Sequence, residues 1–524
     1  MLVYGDHRET CDPRERIGEI NGNLKTLGRM PPGLERHSRL VAVLVETGRV
    51  VQGLADAHAS ADDLNLFLYR LAQSVVRSHD TRFSDMREVA AVRARDLPPQ
   101  VDLKLPEGFA FYAVYPEAYA DAARRLKLLA PPRVIGIRSI GTTLSAVVAA
   151  TLNAPPPISV RPFGDPFARQ VELPPGVING DAHYVIVDEG PGLSGSSFGS
   201  VADWLQQRGV PLKRIAFLPS HPGDLGAQAS DAHRERWRCA QRVAAAFDPS
   251  FLFDVFGPLE EFSTGGPWER RKFLAVHLGR SVLLKFAGLG RIGERKLDIA
   301  RTLFGQGLVP EPLGLVHGFI VERWRGDARP LEEREAPVAE VARYIAARSR
   351  LPPAAPGSGA SIDELLQMAV RNVRLELGAD AAGALNCWRD RVETLEQCVA
   401  RIPTDNKLDR VEWLRTDAGA LIKTDALDHH CGHDLIGCQD VAWDIAGAIV
   451  EFDLDHFSAG ELVRRANLNV DRELLRFCLA AYAAFRLGRA RLGGEGAAAE
   501  RYAASLRRLL ELTAHAKRLE SLVD

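Results

Sequence analysis

One segment constrains the fold of this chain more than any other part of its sequence. In this segment an apolar run ends in two acids and a loop of small residues, after which an amphipathic helix begins: YVIVDEGPGLSGSSF, residues 184–198. Short apolar runs that alternate with helical stretches are typical of βαβ units around a mostly parallel sheet. In an open parallel sheet, ligands bind beyond the carboxyl ends of the strands. The segment therefore predicts an α/β domain with a ligand site at Asp188 and Glu189.

The pattern along the chain predicts three segments. A chain of 524 residues exceeds the roughly 250 to 300 residues that one hydrophobic core serves. Apolar residues at helical spacing predict that residues 1–99 are helical, and alternating strands and helices predict the α/β domain at 100–248. Residues 249–524 begin with strand candidates and become mainly helical after residue 361, with one strand-turn region near 410–428.

Composition and charge exclude several classes of protein. Hydrophobic residues make up 46% and charged residues 26% of the chain, which is ordinary for a globular enzyme. A net charge of −2 predicts neither a nucleic-acid partner nor a membrane partner. Seven cysteines without a regular spacing indicate a reducing compartment, and no apolar run approaches the ~18 residues of a membrane span. We expect a cytoplasmic protein; the sequence leaves a homodimer open.

The loop that follows the acid pair is suited to a phosphate. Its glycines and serines offer backbone amides and hydroxyl groups, which can wrap an anion. The two adjacent acids can hold ribose hydroxyls directly or through Mg²⁺. A flavodoxin-like turn with a helix-capping serine is the structural alternative. The candidate phosphate-binding residues here are Ser194, Gly195, Ser196 and Ser197.

A second candidate phosphate site lies upstream. At residues 134–152, VIGIRSIGTTLSAVVAATL, an apolar strand runs through a short turn into an apolar helix. The first N–H groups of a helix are unpaired and attract anions. A strand-to-helix turn that is merely capped by threonine is the alternative. The candidate residues are Arg138, Ser139, Gly141, Thr142 and Thr143.

Together the two loops resemble the signature of type I phosphoribosyltransferases over roughly residues 100 to 225. RSIGTT is similar to the family's pyrophosphate loop, and the acid pair with its small-residue loop is similar to its ribose-phosphate motif. Between them, RPFGDPFARQVEL occupies the place of the family's mobile hairpin. The additional GPG and the glutamate as second acid are closer to an atypical branch, similar to the phosphoribosyltransferases associated with tellurium-resistance gene neighbourhoods.

The resemblance implies a phosphoribosyl pyrophosphate ligand and a small-molecule acceptor. The loop at 138–143 would take the pyrophosphate and the loop at 194–197 the 5-phosphate, while Asp188 and Glu189 would hold the ribose hydroxyls and Mg²⁺. Catalysis would rest on neutralising the leaving group rather than on a covalent nucleophile. The hairpin arginines would close over the site and exclude water; a solvated surface pair is the alternative. These arginines are Arg161 and Arg169.

The second half of the chain carries another set of charged residues. Lys285 stands in the apolar run SVLLKF, and Glu294 lies near the start of the helix that follows. A helix glutamate that pairs with a strand lysine can orient it toward nucleotide phosphates. A lysine at an exposed strand edge is the alternative. Asp405 and Asp425 follow at a separation of twenty positions, and Asp444 lies in the next helical stretch.

This order resembles the aminoglycoside-phosphotransferase branch of protein-kinase-like folds, over about residues 262–520. The resemblance implies that Lys285 contacts the phosphates of ATP and that Glu294 holds this lysine. It implies further that Asp405 accepts the proton of the substrate hydroxyl and that Asp425 binds Mg²⁺, with Asp444 as a structural acid. The predicted fold is thus an α/β phosphoribosyltransferase-like domain with a helical N-terminal extension, followed by an α+β kinase-like bilobal domain.

The catalytic loop departs from that family and leaves two functions open. Pro403 and Thr404 stand where the family has His-Gly, and Arg410 stands where it has asparagine. One hypothesis is a bifunctional enzyme that transfers phosphoribosyl groups and phosphorylates a small-molecule hydroxyl. The alternative is a sensor of phosphoribosyl pyrophosphate with a pseudokinase scaffold. A zinc site is a further alternative for the segment that contains Asp428, His429, His430, Cys431, His433 and Cys438.

Overall fold

The structure is a computed structural model, and it describes most of the chain. The described residues are 1–5, 8–178, 181–192, 194–263, 270–332, 335–355 and 357–520, with side chains as far as 511 in the last helix. These residues form four sheets, two of which have five strands. Among the described helices, none combines the length and the apolar character that a bilayer crossing requires.

The N-terminal region is a layer of helices. They are α1 (Pro13–Leu27), α2 (Leu34–Asp56) and α3 (Asp62–Asp80). The amphipathic stretches at 34–57 and 62–78 predicted the last two, which are confirmed. Asp12 caps α1 by accepting a hydrogen bond from the backbone N–H of Arg14.

The prediction of helix up to residue 99 is wrong for its last part, since residues 84–100 form no helix. Prolines at 98 and 99 oppose a helix there. Asn21 instead bonds both backbone polar groups of Val92, donating to its carbonyl at 2.9 Å and accepting from its N–H at 3.0 Å. The remaining regular structure in this region is a two-stranded antiparallel sheet, β1 (Arg8–Cys11) and β2 (Val101–Lys104).

The first large sheet is five-stranded and parallel throughout. Its strands are β3 (Pro132–Ile137), β4 (Ile158–Val160), β5 (His183–Val187), β6 (Ile215–Leu218) and β7 (Gln241–Arg242), in the order β4-β3-β5-β6-β7. The same segment contains α4 (Glu107–Phe111), α5 (Pro116–Arg124), α6 (Gly141–Thr151), α7 (Ser196–Gln207) and α8 (Asp231–Cys239). Every residue of β5 is buried, as expected for a strand covered on both faces. The predicted parallel sheet is confirmed.

The second large sheet is antiparallel and has the order β11-β12-β10-β9-β8. Its strands are β8 (Leu259–Glu261), β9 (Lys272–His277), β10 (Arg280–Phe286), β11 (Pro312–Val316) and β12 (Phe319–Arg323); α9 (Ser250–Phe256) precedes it and α10 (Arg291–Phe304) crosses from β10 to β11. Leu278 and Gly279 join β9 to β10 with φ angles of 50° and 73°. Positive φ at both positions is typical of a two-residue hairpin turn.

A mainly helical lobe completes the chain, as the sequence predicted after residue 361. Its helices are α11 (Val338–Arg348), α12 (Ile362–Leu377), α13 (Ala379–Gly383), α14 (Val392–Cys398), α15 (Val441–Glu451), α16 (His456–Ala466), α17 (Arg472–Leu492) and α18 (Gly496–Glu520). A small sheet lies beside them, formed by β13 (Ala328–Pro330), β14 (Trp413–Thr416) and β15 (Leu421–Lys423). Short 3-10 helices span Leu212–Arg214, Ala384–Arg391, Arg410–Glu412 and His429–Cys431. The antiparallel sheet and the helical lobe form two lobes with a cleft between them.

One apolar core crosses the segment boundaries that the sequence suggested at 99 and 248. It contains Leu44 of α2, Leu144 of α6, Val187 of β5, Phe273 of β9 and Phe319 of β12. The N-terminal helices, the parallel sheet and the antiparallel sheet therefore share buried surface, and burial of that surface stabilises all three together.

The first residues of the chain pack against the helical lobe. The backbone N–H of Leu2 donates to Asn372 Oδ1 at 2.7 Å, and Asn372 Nδ2 donates to the Leu2 carbonyl at 3.0 Å. Val3 is 1% exposed within the core of that lobe. The backbone N–H of Leu435 donates to the carbonyl of Val3. Residues 2–5 therefore form a strap, which we call the N-terminal strap.

Candidate functional site

Two loops meet at the carboxyl edge of the parallel sheet. β3 and β5 are neighbouring strands, and Gly136 pairs in register with Val187. The loop that begins at Arg138 therefore lies beside the loop that begins at Asp188. The start of α6 also approaches β5 closely, because a Cβ on Gly141 would lie 2.7 Å from the carbonyl oxygen of Val187. The structure thus brings together the two loops that the sequence singled out.

The acid pair at this edge is half-buried and carries raised pKa values. Burial raises the pKa of Asp188 to about 7. Burial, with the nearby charges of Glu107 and Asp188, raises the pKa of Glu189 to about 8. Glu189 Oε2 accepts a hydrogen bond of 3.0 Å from the backbone N–H of Gly108. Two carboxylates whose charged forms are disfavoured by burial form a site that a divalent cation would stabilise.

Two hydroxyl groups of the small-residue loop are bonded to the hairpin that precedes it in the chain. Ser194 Oγ and Ser196 Oγ donate to the carbonyl of Pro166 at 3.1 and 2.7 Å. Their protons are therefore engaged, which corrects the expectation that both donate to a phosphate. Gly195, at φ 64°, precedes the start of α7. The backbone N–H groups of that first turn and the side chain of Ser197 are the donors that this loop offers an anion.

The upstream loop also differs in part from its predicted role. Thr143 packs against α2, since a Cβ on Gly48 would lie 1.9 Å from its Oγ1, so we no longer count Thr143 as a ligand contact. Thr142 Oγ1 is buried and has no hydrogen-bond partner among the described residues. The peptide bond between Arg138 and Ser139 is cis. A buried hydroxyl without a partner is a group that a ligand oxygen would satisfy.

Arg161 is not a mobile lid. Its guanidinium forms an ion pair with Asp56 of α2, with Nε 3.1 Å from Oδ1, and its NH1 donates to the carbonyl of Arg138 at 3.0 Å. Asp56 also lies 3.4 Å from the guanidinium of Arg138. The prediction that Arg161 closes over a ligand is therefore wrong, because Asp56 binds it and thereby supports the loop at 138–143. Sequence analysis missed Asp56, which lies 105 positions from its partner.

Arg169 lies within a tight hairpin in which Phe163 and Gln170 exchange backbone hydrogen bonds of 2.9 Å, and its predicted closure over a ligand stays a prediction. Its side chain forms no hydrogen bond or ion pair with the described residues, and its charge acts to lower the pKa of Asp188. Arg169 is thus the hairpin arginine that remains available to neutralise an anion at this edge.

A second candidate site is the cleft between the antiparallel sheet and the helical lobe. The cleft has a volume of about 720 Å³, which is the size of a nucleotide or drug-sized ligand site. Its walls carry charged side chains of both signs. They include Lys272, Lys407, Asp409, Asp425, Arg486 and Arg489.

Lys285 of β10 is 6% exposed and lies behind the wall of this cleft, which its two acid partners line. Its Nζ forms an ion pair with Asp425 and lies 2.9 Å from Asp428 Oδ2. Although burial opposes the charge, these two acids hold the pKa of Lys285 above its ordinary value. The alternative of a lysine at an exposed strand edge is therefore wrong.

Glu294 does not hold Lys285. Its carboxylate pairs with Arg39 at 2.5 Å, and both side chains are at least 40% exposed. Two positions further along α10, Lys296 is 2% exposed and lies 2.5 Å from Asp428 Oδ1. Residues two apart on a helix point to different faces. The helix therefore directs Lys296, and not Glu294, toward Asp428, and the predicted pairing of Glu294 with Lys285 is wrong.

Asp405 is enclosed rather than presented to a substrate. Its side chain is 0% exposed and is absent from the described residues that line the cleft. Tyr344 donates its hydroxyl to Asp405, Lys423 Nζ lies 3.6 Å away, and His429 Nδ1 lies 3.1 Å away. Lys423 and His429 hold the pKa of Asp405 below its usual range despite burial. In this arrangement Asp405 lacks the access that its predicted role as base requires.

Asp444 supports the segment that contains Asp405. Its carboxylate accepts hydrogen bonds from the backbone N–H groups of Asp405 at 2.9 Å and of Asn406 at 3.0 Å. Burial raises the pKa of Asp444 to about 6. The structure thus places Asp444 where a structural acid would act.

His429 links the two aspartates that the sequence singled out. Its Nε2 lies 3.5 Å from Asp425 Oδ2, on the opposite side of the ring from Asp405. Both acids raise the pKa of His429 to about 9 against the effect of burial. Asp425, Glu412 and His429 bring ligand atoms within 4.8 Å of one another. Carboxylate oxygens are the ligands that Mg²⁺ prefers, so Asp425 with Glu412 is the pair here that could hold it.

The zinc alternative for residues 428–438 does not fit the geometry. His429 faces Asp405 and Asp425, whereas His433 Nδ1 faces Glu107 at 3.1 Å. Among the described residues, the groups close enough to share an ion contain no cysteine. The predicted ligands therefore point in different directions, and we discard this alternative.

The short helix α4 connects the two candidate sites. Its residue Gly108 donates to Glu189 of the acid pair, as described above, while Glu107 contacts His433 at the wall of the cleft. Tyr112, which follows the helix, stacks on His433 with ring centroids 5.3 Å apart and also lines the cleft. Residues 108–112 thus connect the acid pair, which Gly108 contacts, to the wall of the cleft, which Tyr112 lines.

Comparison with known proteins gives a likeness in structure alone. No family model matches the chain, and no curated protein matches it. A choline kinase from Streptococcus pneumoniae is 15% identical with a TM-score of 0.35, covering 50% of this chain and 97% of its own. A choline/ethanolamine kinase family protein from Mesorhizobium loti is 16% identical with a TM-score of 0.36, covering 50% of this chain and 91% of its own.

A thermostable mutant of an aminoglycoside phosphotransferase is 16% identical with a TM-score of 0.36, covering 51% of this chain and 99% of its own. Each of these likenesses extends over about half of the chain. At these identities and TM-scores, the likeness says nothing of the activity of this chain.

Proposed function

We propose that the cleft of the second half binds Mg²⁺ and ATP and transfers a phosphoryl group to a small-molecule hydroxyl. The observation that carries this proposal is that Asp425 and Asp428, which line the cleft of about 720 Å³, are both paired with Lys285, a buried lysine directly behind them. A phosphate group can take the place of one of these acids on the lysine, and the released acid can then bind Mg²⁺.

Phosphoryl transfer depends chiefly on positioning and on neutralising charge. Lys285 would contact the phosphates, and Asp425 would hold Mg²⁺, which neutralises phosphate charge when it is bound. Lys407 and Arg486 line the same cleft and would face the transferred group. Asp405 could act as a base only after His429 turns away from it. Because His429 also contacts Asp425, Mg²⁺ bound at Asp425 would compete with His429 for the same carboxylate.

The experiment compares ATP binding and ADP formation in the wild type and two variants. Lys285→Met and Asp425→Asn are expected to lose Mg²⁺-dependent ATP binding, whereas the exposed Lys213→Met serves as the matched control. ADP formation is then measured with a panel of hydroxylated small molecules. Wild-type affinity for ATP in Lys285→Met would sink the assignment of the cleft.

The pseudokinase alternative is favoured by one observation, the enclosure of Asp405 by Tyr344, Lys423 and His429. A scaffold of this kind binds ATP without turning it over. Tight ATP binding in the wild type, combined with no ADP formation over the whole panel, would therefore favour the sensor over the kinase.

For the first half, we propose a site for a ribose phosphate that carries pyrophosphate. Support comes from the adjacency of β3 and β5, which sets the loop at 138–143 beside the acid pair. The orphaned hydroxyl of Thr142 and the available Arg169 add polar groups at this edge. On this proposal Asp188 and Glu189 hold Mg²⁺ and the ribose hydroxyls, and phosphoribosyl transfer to a nitrogenous acceptor is the reaction.

Titration calorimetry with Mg²⁺ and phosphoribosyl pyrophosphate tests this site, together with pyrophosphate release over a panel of nucleobases. Asp188→Asn is expected to abolish both signals. Asp181→Asn is the matched control, because that side chain is 96% exposed in the same region. Equal binding by wild type and Asp188→Asn would remove the assignment. Binding without release would leave a sensor of this ligand.

A further inference from the structure

Three buried side chains from distant parts of the chain converge outside both candidate sites. His37 of α2, Glu117 of α5 and His317 of the turn between β11 and β12 are 1%, 7% and 3% exposed. His37 Nε2 lies 2.5 Å and His317 Nε2 lies 3.0 Å from the same carboxylate oxygen, Glu117 Oε1. The three ligand atoms lie within 4.8 Å of one another.

Hydroxyl groups engage the far nitrogen of each imidazole. Ser78 Oγ lies 2.9 Å from His37 Nδ1, and Ser38 Oγ lies 3.2 Å from His317 Nδ1. Partners of this kind fix the ring orientation of metal-ligating histidines, with the other nitrogen directed at the metal. The phenolic hydroxyl of Tyr115 donates to the carbonyl of His317 at 2.6 Å and so holds the turn that carries it.

Only one of the two carboxylate oxygens of Glu117 is contacted by the imidazoles. Both imidazoles meet Oε1, whereas Oε2 is buried without a hydrogen-bond partner among the described residues. If hydrogen bonds alone held these three side chains together, we would expect a donor at each buried oxygen of the carboxylate, including Oε2. Two imidazole nitrogens and one carboxylate that converge in this way are instead a donor set for a metal ion.

We propose that His37, Glu117 and His317 bind one divalent transition-metal ion, with zinc as the metal that imidazole and carboxylate ligands suit. Zinc takes such ligands at about 2.0 to 2.2 Å, so its binding moves the imidazoles outward by less than about 1 Å from their present contacts. The three side chains fill three of the four positions around the ion, and the second oxygen of Glu117 or a water completes them. Because all three side chains are buried, the ion would be held inside the fold.

The metal would join three regions that are far apart in sequence. The pairs His37 with Glu117 and Glu117 with His317 are 80 and 200 positions apart. They connect the N-terminal helices, the α/β region and the antiparallel sheet at the shared core. Metal bound only by the folded chain adds its binding free energy to the stability of that junction.

The test uses the full-length protein without a histidine tag, and zinc is measured by mass spectrometry after gel filtration. We expect about one zinc ion per chain in the wild type and less than a tenth of that in Glu117→Gln. That variant keeps the shape of the side chain and can still accept hydrogen bonds. Ser78→Ala is expected to weaken zinc affinity about 10- to 100-fold.

Two controls locate the metal. His233→Ala removes another histidine–carboxylate pair, with 3.4 Å between His233 Nε2 and Asp203 Oδ2, and should retain the zinc. Asp425→Asn alters the cleft and should retain it as well. Co²⁺ added to the metal-free wild type should produce visible absorption that zinc displaces, a readout that needs no variant. Wild-type protein that holds no zinc and gives no Co²⁺ band, or equal zinc in Glu117→Gln, would overturn the proposal.

Discussion

His429 holds its Nδ1 3.1 Å from an oxygen of Asp405, and this contact closes the carboxylate that was expected to act as a base. The other nitrogen of the ring faces Asp425, so that one cationic imidazole serves two acids. The charge on His429 therefore determines how strongly it is held against Asp405, and a change of pH tests this dependence.

The first prediction concerns the pH dependence of stability without Mg²⁺. Because the pKa of His429 is raised from 6.5 to about 9, its ion pairs stabilise the fold fully below pH 6.5 and are lost as the pH rises through about 9. The loss amounts to roughly 3 kcal/mol. Urea midpoints between pH 6 and 10, in EDTA, should fall for the wild type and stay flatter for His429→Gln. Parallel curves would contradict it.

The second prediction separates a structural aspartate from a binding aspartate. Asp405→Asn removes a fully enclosed carboxylate that faces Lys423 and His429, which should cost about 3 kcal/mol even though Lys423 keeps Glu412 and His429 keeps Asp425. Asp425→Asn should cost less, because the Asp425 side chain is 31% exposed and Lys285 keeps Asp428 as a partner, but it should lose Mg²⁺-dependent ATP binding. Melting temperatures and ATP affinities of the two variants measure this contrast. A reversed order of stability would show that Asp405 is not the buried partner described here.

The third prediction concerns Asp56, which supports the loop at 138–143 through Arg161. Although burial opposes the charge, Arg161 holds the pKa of Asp56 below its ordinary value. Its stabilisation is thus present above the ordinary pKa and is lost as the pH falls. Asp56→Asn should destabilise the protein by about 1 to 3 kcal/mol and weaken phosphoribosyl pyrophosphate binding. Asp181→Asn, at an exposed ion pair, should change stability by less than about 1 kcal/mol.

The fourth prediction uses Gly108, which donates its N–H to the acid pair. A Cβ at this position would lie 2.9 Å from the carboxyl group of Glu189 and 2.7 Å from Ile140 Cδ1. Gly108→Ala should therefore displace Glu189 and weaken Mg²⁺-dependent ligand binding at the sheet edge. Gly18→Ala, in a helix with open space around it, should instead stabilise by up to about 1 kcal/mol. Unchanged ligand affinity in Gly108→Ala would show that Glu189 is not needed there.

Periodicity in the sequence predicted most elements because it is a local property of the chain. The apolar runs became β3, β5 and β6, and the amphipathic stretches became α2 and α3. The adjacency of the loops at 138–143 and 188–197 followed from the rule that parallel strands end at one edge. Residues 84–100 escaped this reasoning, because side chains of distant helices bond their backbone, Asn21 at Val92, Ser74 at Arg87 and Arg14 at Pro98.

Partners of charged residues could not be predicted in the same way. Glu294 and Lys296 lie two positions apart on the same helix. Only the rotation of α10 about its axis decides that Lys296 reaches Asp428 while Glu294 pairs with Arg39. Arg161 looked free because nothing near it in sequence identified Asp56. The triad of His37, Glu117 and His317 carries no spacing motif at all, since its members are brought together by three separate elements.

The N-terminal strap has a consequence for biosynthesis. Leu2 is bonded to Asn372, 370 positions further along the chain, so the ribosome releases the strap long before its docking surface exists. Tyr4 of the strap also lines the cleft. The part of the cleft wall that Tyr4 forms can therefore take its place only after the helix that carries Asn372 has been synthesised.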